Sequence, residues 1–134
     1  MFIIRIFTLL PFIGVLVAIY ALLSLGGTGW MEGSFALGGD LGMNNGEAFT
    51  LMGLLFLALE VIKSTNTRGW SIANHGLSML VFVAALVLFL TVDGYATVPF
   101  LMITAMALID VLIGMIVTIV TARRDIGLGG FDAG

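Results

Sequence analysis

The sequence has no cysteine, a single histidine, two prolines and few charges, with five Lys plus Arg and eight Asp plus Glu in 134 residues. Without cysteine there are no disulfide frameworks, thiol nucleophiles or thiolate metal sites. One imidazole excludes any site that needs two from the same chain. Five basic residues leave no surface to meet nucleic-acid phosphates, so no nucleic-acid partner is expected. What remains is apolar: 60% of the residues are hydrophobic and 10% charged, whereas a soluble domain carries roughly 25% charged residues. A chain this short cannot bury so much apolar surface and keep a wettable exterior. The expected solvent, and first partner, is the lipid bilayer.

Four apolar stretches run over about 3–25, 47–63, 71–92 and 98–122. The first, third and fourth are long enough to cross a hydrocarbon core of roughly 30 Å as helices, and the second is near the lower limit of roughly 17 residues. Runs such as Leu77 to Leu90 do not alternate polar with apolar positions, which sets aside a β-barrel. The expected fold class is an all-α membrane protein, with four transmembrane helices in an antiparallel bundle over residues 1–125. Arg5 ahead of an apolar run also suits a signal peptide, but the run from Ile6 to Leu25 exceeds an ordinary signal core and reads as a retained span. With the N-terminus inside, Arg5, Lys63, Arg68, Arg123 and Arg124 all fall on the cytoplasmic side, and Glu32, Asp40, Glu47 and Asp93 fall outside. The positive-inside rule therefore places both termini in the cytoplasm, in a plasma membrane of the bacterial inner-membrane kind.

The external loop 26–46 holds eight of the 18 glycines. Such a loop is either mobile or held down by contacts that sequence does not reveal, and Trp30 reads as resting at the lipid headgroups. The oxygen-bearing run from Asp40 to Glu47 has the style of a calcium loop, but Leu51 occupies the twelfth position and no metal is expected. Residues 126–134 lack a helical pattern and read as a flexible cytoplasmic tail.

Spacing of three and four residues marks a small or polar face on each span: Pro11, Gly14, Ala18 and Ala21 in the first; Thr50, Gly53 and Glu60 in the second. The third offers Ser71, Asn74, His75 and Ser78, and the fourth Thr104, Ala107, Asp110, Gly114, Thr118 and Thr121. Lipid gives apolar helices no hydrophobic reason to associate, so these faces are expected to point inward. Pro11 should kink the first span. Tyr20, Trp70, Tyr95 and Phe100, near span boundaries, read as interfacial anchors.

Ionisable groups inside the spans are where chemistry can reside. Glu60 and His75 lie at similar depth, one turn from the cytoplasmic ends of their helices, which makes them candidates to pair. Asp110 lies near the midplane, with Asn74, His75 or a partner chain as candidate donors and Thr104 and Thr118 on its own face. No nucleophile–base constellation, metal motif or phosphate loop accompanies them, so no catalytic residue, metal or cofactor is expected. His75 is at most a candidate axial ligand for a haem or chlorin. Two functions follow. One is a non-enzymatic accessory or assembly subunit, packed against other membrane subunits or copies of itself. The other is a small oligomeric proton-coupled transporter or channel that uses Asp110, Glu60 and His75, with Asn74 nearby.

Overall fold

The structure, a computed structural model, describes residues 10–38, 41–66 and 71–128. Four helices account for most of it: α1 (Phe12–Leu23), α2 (Asn45–Asn66), α3 (Ser71–Thr91) and α4 (Val98–Leu128). Three contain segments long and apolar enough to cross a membrane, Asn45–Ser64, Ala73–Thr91 and Val98–Val120, while Phe12–Gly26 is apolar but shorter. The remainder of the first expected span lies outside the described residues. Helix α4 continues through Ile126–Leu128, which the sequence pattern assigns to the tail. The rest of that tail is outside the described residues.

Pro11 stands at the start of a helix, and most of the first span before it lies outside the described residues. Its backbone is extended (φ −72°, ψ 120°) and α1 begins at the next residue. A ring that has no N–H and clashes with a preceding turn suits a helix start better than an interior.

The architecture is not purely helical. Between α1 and α2 the chain forms two short 3₁₀ turns, Ser24–Gly26 and Gly29–Glu32, and then an antiparallel hairpin of β1 (Ser34–Gly38) and β2 (Leu41–Asn44). Ser34 faces Asn44, Phe35 faces Met43 and Ala36 faces Gly42, with the register breaking before Gly38 pairs with Leu41. Asn44 then opens α2: its Oδ1 accepts the Glu47 N–H at 2.8 Å, and Glu47 Oε2 accepts the Asn44 N–H at 2.9 Å. This reciprocal capping box satisfies two backbone donors at the helix start. It also occupies two of the oxygen donors that gave the loop its calcium-like look, and no cluster of three metal-ligating side chains occurs among the described residues.

The loop is held down. Asn45 N–H donates to the Gly33 carbonyl at 2.7 Å, Asn45 Nδ2 donates to the Trp30 carbonyl at 2.8 Å, and Trp30 Nε1 donates to Ser24 Oγ at 3.3 Å. The Trp30 ring is half-buried, packed edge-on against Tyr20 and Phe49 with centroids 5.5 Å away in each case. It therefore packs on the helices instead of standing free of them. Tyr20 and Phe100, read as anchors, are fully buried, with ring centroids 4.6 Å apart. Tyr95 packs on both. Trp70 lies outside the described residues.

Helix α4 packs most extensively, against α3 and α2. Its buried positions Phe100, Ile103, Thr104, Ala107, Asp110 and Val111 recur at three and four residues, as one helical face must. In α1 the inward face is carried by the large side chains Ile13, Leu16, Val17 and Tyr20; of the small face read from the sequence, Pro11 is buried, Gly14 is half-buried and Ala18 is exposed. Outward positions on α2, α3 and α4 are largely Leu, Ile, Val and Met, the arrangement that lipid as solvent demands.

Gly14, Gly53 and Gly114 mark helix crossings. A Cβ on Gly14 would stand 2.9 Å from Val81 Cγ2, one on Gly53 2.9 Å from Met106 Sδ, and one on Gly114 2.5 Å from His75 Nδ1. Around Gly76 a Cβ would meet nothing within 4 Å among the described residues. The neighbours differ in how easily they yield. Gly53→Ala should be close to neutral, because a flexible thioether swings aside and Ala favours the helix. Gly114→Ala should lower stability by about 1–3 kcal/mol, because a rigid ring must leave its place. Thermal or SDS-induced unfolding of both variants in detergent micelles checks the contrast.

Candidate functional site

The ionisable residues singled out in the sequence gather in the α2, α3 and α4 core, with different partners from those expected. Glu60 is fully buried. Its Oε2 accepts the backbone N–H of Phe12 at 2.8 Å, and its Oε1 accepts Asn74 Nδ2 at 3.0 Å and pairs with Lys63 Nζ at 2.6 Å. The partner on α3 is therefore Asn74 and not His75. Adjacent residues on a helix point about 100° apart, so equal depth does not decide which of them faces α2.

Lys63 completes the arrangement. Its Nζ donates to the Leu10 carbonyl at 2.8 Å and to Asn74 Oδ1 at 3.3 Å, and it lies 4.6 Å from the centre of the Phe12 ring. Pro11 offers no side-chain oxygen to cap α1. The Glu60 carboxylate does so from a neighbouring helix, where negative charge meets the positive end of the α1 dipole. Lys63 entered the sequence reading only as a topology marker. The signal for its second role is the i, i+3 spacing to Glu60, which puts both heads on one face.

Asp110 is buried at 7% exposure, and the Ser78 hydroxyl lies beside its carboxylate. The two threonines on its own helix do not serve it. Thr104 Oγ1 donates to the Phe100 carbonyl at 2.9 Å and Thr118 Oγ1 to the Gly114 carbonyl at 2.8 Å, each turning back onto its own helix. His75 sits over Gly114, one turn beyond Asp110. His75 Nδ1 and Ser78 Oγ are both buried without a hydrogen-bond partner among the described residues.

The core thus has two polar centres with different chemistry. Around Glu60, a carboxylate, an ammonium, an amide and two backbone groups satisfy one another. Between α3 and α4, the Ser78 hydroxyl lies beside the Asp110 carboxylate, and His75 Nδ1 lies one helical turn along, against Gly114. No protein-family model, curated protein or solved structure matches the chain.

Proposed function

We propose that this is a non-enzymatic integral membrane protein that crosses the plasma (bacterial inner) membrane four times with both termini cytoplasmic. It serves as an accessory or assembly subunit, packed within a larger membrane complex or with copies of itself. The observation that carries this reading is the use made of Glu60. Both of its oxygens bind groups on α1, α2 and α3, so the most costly side chain in the bundle holds helices together instead of facing a substrate. Sequence topology agrees, since Lys63 and Arg123 lie near the C-terminal ends of α2 and α4, whereas Glu47 begins α2 and Asp93 follows α3. Extraction into native-lipid particles should bring down a stoichiometric membrane partner or further copies of the chain. A lone monomer in such particles would remove the assignment.

The second reading, a small oligomeric proton-coupled transporter or channel, is favoured by one observation: the unpartnered His75 Nδ1 and Ser78 Oγ beside Asp110. It requires proton flux into liposomes that falls in Asp110→Asn and in Glu60→Gln. Equal flux in wild type and both variants eliminates it.

A further inference from the structure

The α3–α4 contact leaves hydrogen-bonding capacity unused at a definite place. His75 and Ser78 are one turn apart on α3, and Asp110 and Gly114 are one turn apart on α4. The His75 ring lies on Gly114 with Nδ1 nearest to that position, and the Ser78 hydroxyl lies beside Asp110. Ser78 is 4% exposed. Its Oγ and His75 Nδ1 find no partner among the described residues. Native interiors rarely leave such atoms unsatisfied, and the usual solution is an internal water that takes about three polar groups at once.

We propose that Asp110, Ser78 and His75 together bind one water molecule between α3 and α4. The donor set selects water over other small ligands. A hard cation such as Na⁺ or Ca²⁺ calls for an oxygen shell, and only two of these three groups offer oxygen. A transition metal calls for more imidazole or thiolate than this chain contains. Water has two donors and two acceptors. It donates to the Asp110 carboxylate, exchanges a bond with the Ser78 hydroxyl in either sense, and serves His75 Nδ1 in either tautomer. Glu60 and Lys63, the charged groups that α2 turns toward this region, are engaged with each other and with Asn74 and do not compete for it. The site exists under either function above. It rests on the membrane reading only for its setting, in which no bulk solvent reaches these atoms.

Water-to-protein magnetisation transfer in solid-state NMR tests this on the full chain in lipid bilayers, with ¹³C-aspartate and ¹⁵N-histidine labels. The chain's single histidine makes the His75 signal unique, and loss of a peak in Asp110→Asn assigns the Asp110 Cγ. Flotation with liposomes comes first. Failure to float overturns the membrane reading, whereas flotation without water transfer to Asp110 Cγ overturns the water site alone. The expected result is transfer to both Asp110 Cγ and His75 Nδ1, most of it lost in Ser78→Ala and restored in Ser78→Thr, which keeps the hydroxyl. Transfer that Ser78→Ala leaves unchanged would place the water at the outer edge of the His75 ring and overturn the proposal.

Discussion

Replacing Glu60 with alanine is expected to destabilise the bundle by about 3–5 kcal/mol, the usual cost of removing one partner of a buried ion pair. Three groups lose the acceptor that Glu60 supplies: the Lys63 ammonium, the Asn74 amide and the Phe12 N–H. Lys63 is 11% exposed at its side chain, so water gives it little relief. Glu60→Gln keeps an acceptor for Phe12 but leaves the ammonium uncompensated, and should still be strongly destabilised. The pair Glu60→Gln with Lys63→Met removes both charges and should recover much of the loss. Reversible unfolding in bicelles, run as a double-mutant cycle, measures the coupling. Additive single and double effects would show that Glu60 and Lys63 do not act as a pair.

Tyr20→Ala is expected to cost about 3–5 kcal/mol, the range for deleting a fully buried aromatic side chain. Tyr20 is the hub of the opposite end of the bundle. Its ring meets those of Trp30, Phe49, Tyr95 and Phe100, and its hydroxyl shares a hydrogen bond of 2.6 Å with Thr97, which also accepts the Phe100 N–H at the start of α4. Tyr20→Phe keeps the packing and loses the shared bond, so its cost should be about 1 kcal/mol. Tryptophan fluorescence distinguishes the two variants. The alanine variant should expose Trp30 and shift its emission to the red, and the phenylalanine variant should leave the emission in place. Both variants are made in a Trp70→Phe background, so that the emission comes from Trp30 alone.

How much of this could be read from the residues depends on whether a property follows from position along a helix or from rotation about it. The apolar runs locate α2, α3 and α4 within a few residues, because length and hydropathy are one-dimensional. Glu60, Asn74, His75 and Asp110 stand out for the same reason, as polar groups in apolar runs. Partners depend on azimuth. Asn74 and His75 differ by one residue in depth and by about 100° in direction, which sends one toward Glu60 and the other onto Gly114. Tyr20 fails in the same way. Its boundary position suits an interfacial anchor, but Ile13, Leu16, Val17 and Tyr20 also follow the three-and-four spacing of a buried face, and that pattern prevails. Asn44 and Glu47 have the Asn-x-x-Glu spacing of a capping box, a signal that the calcium-like reading of 40–47 passed over. The hairpin before them was not legible, since its strands are short and rich in glycine, and its hold on the bundle runs through Trp30 and Asn45.

The clamp around Pro11 also has a consequence for the order of synthesis. The carbonyl before that proline and the N–H after it are held by Lys63 and Glu60, and both of those are oriented by Asn74. Helix α1 leaves the ribosome ahead of α2 and α3, yet it has no seat until residue 74 has been made. Until Glu60 has been made, the short helix Phe12–Leu23 has no partner for its leading amide, and until Asn74 has been made that partner is not yet oriented. Helix α1 is therefore consolidated only with α3, and a nascent chain arrested before Asn74 would present α1 unfastened.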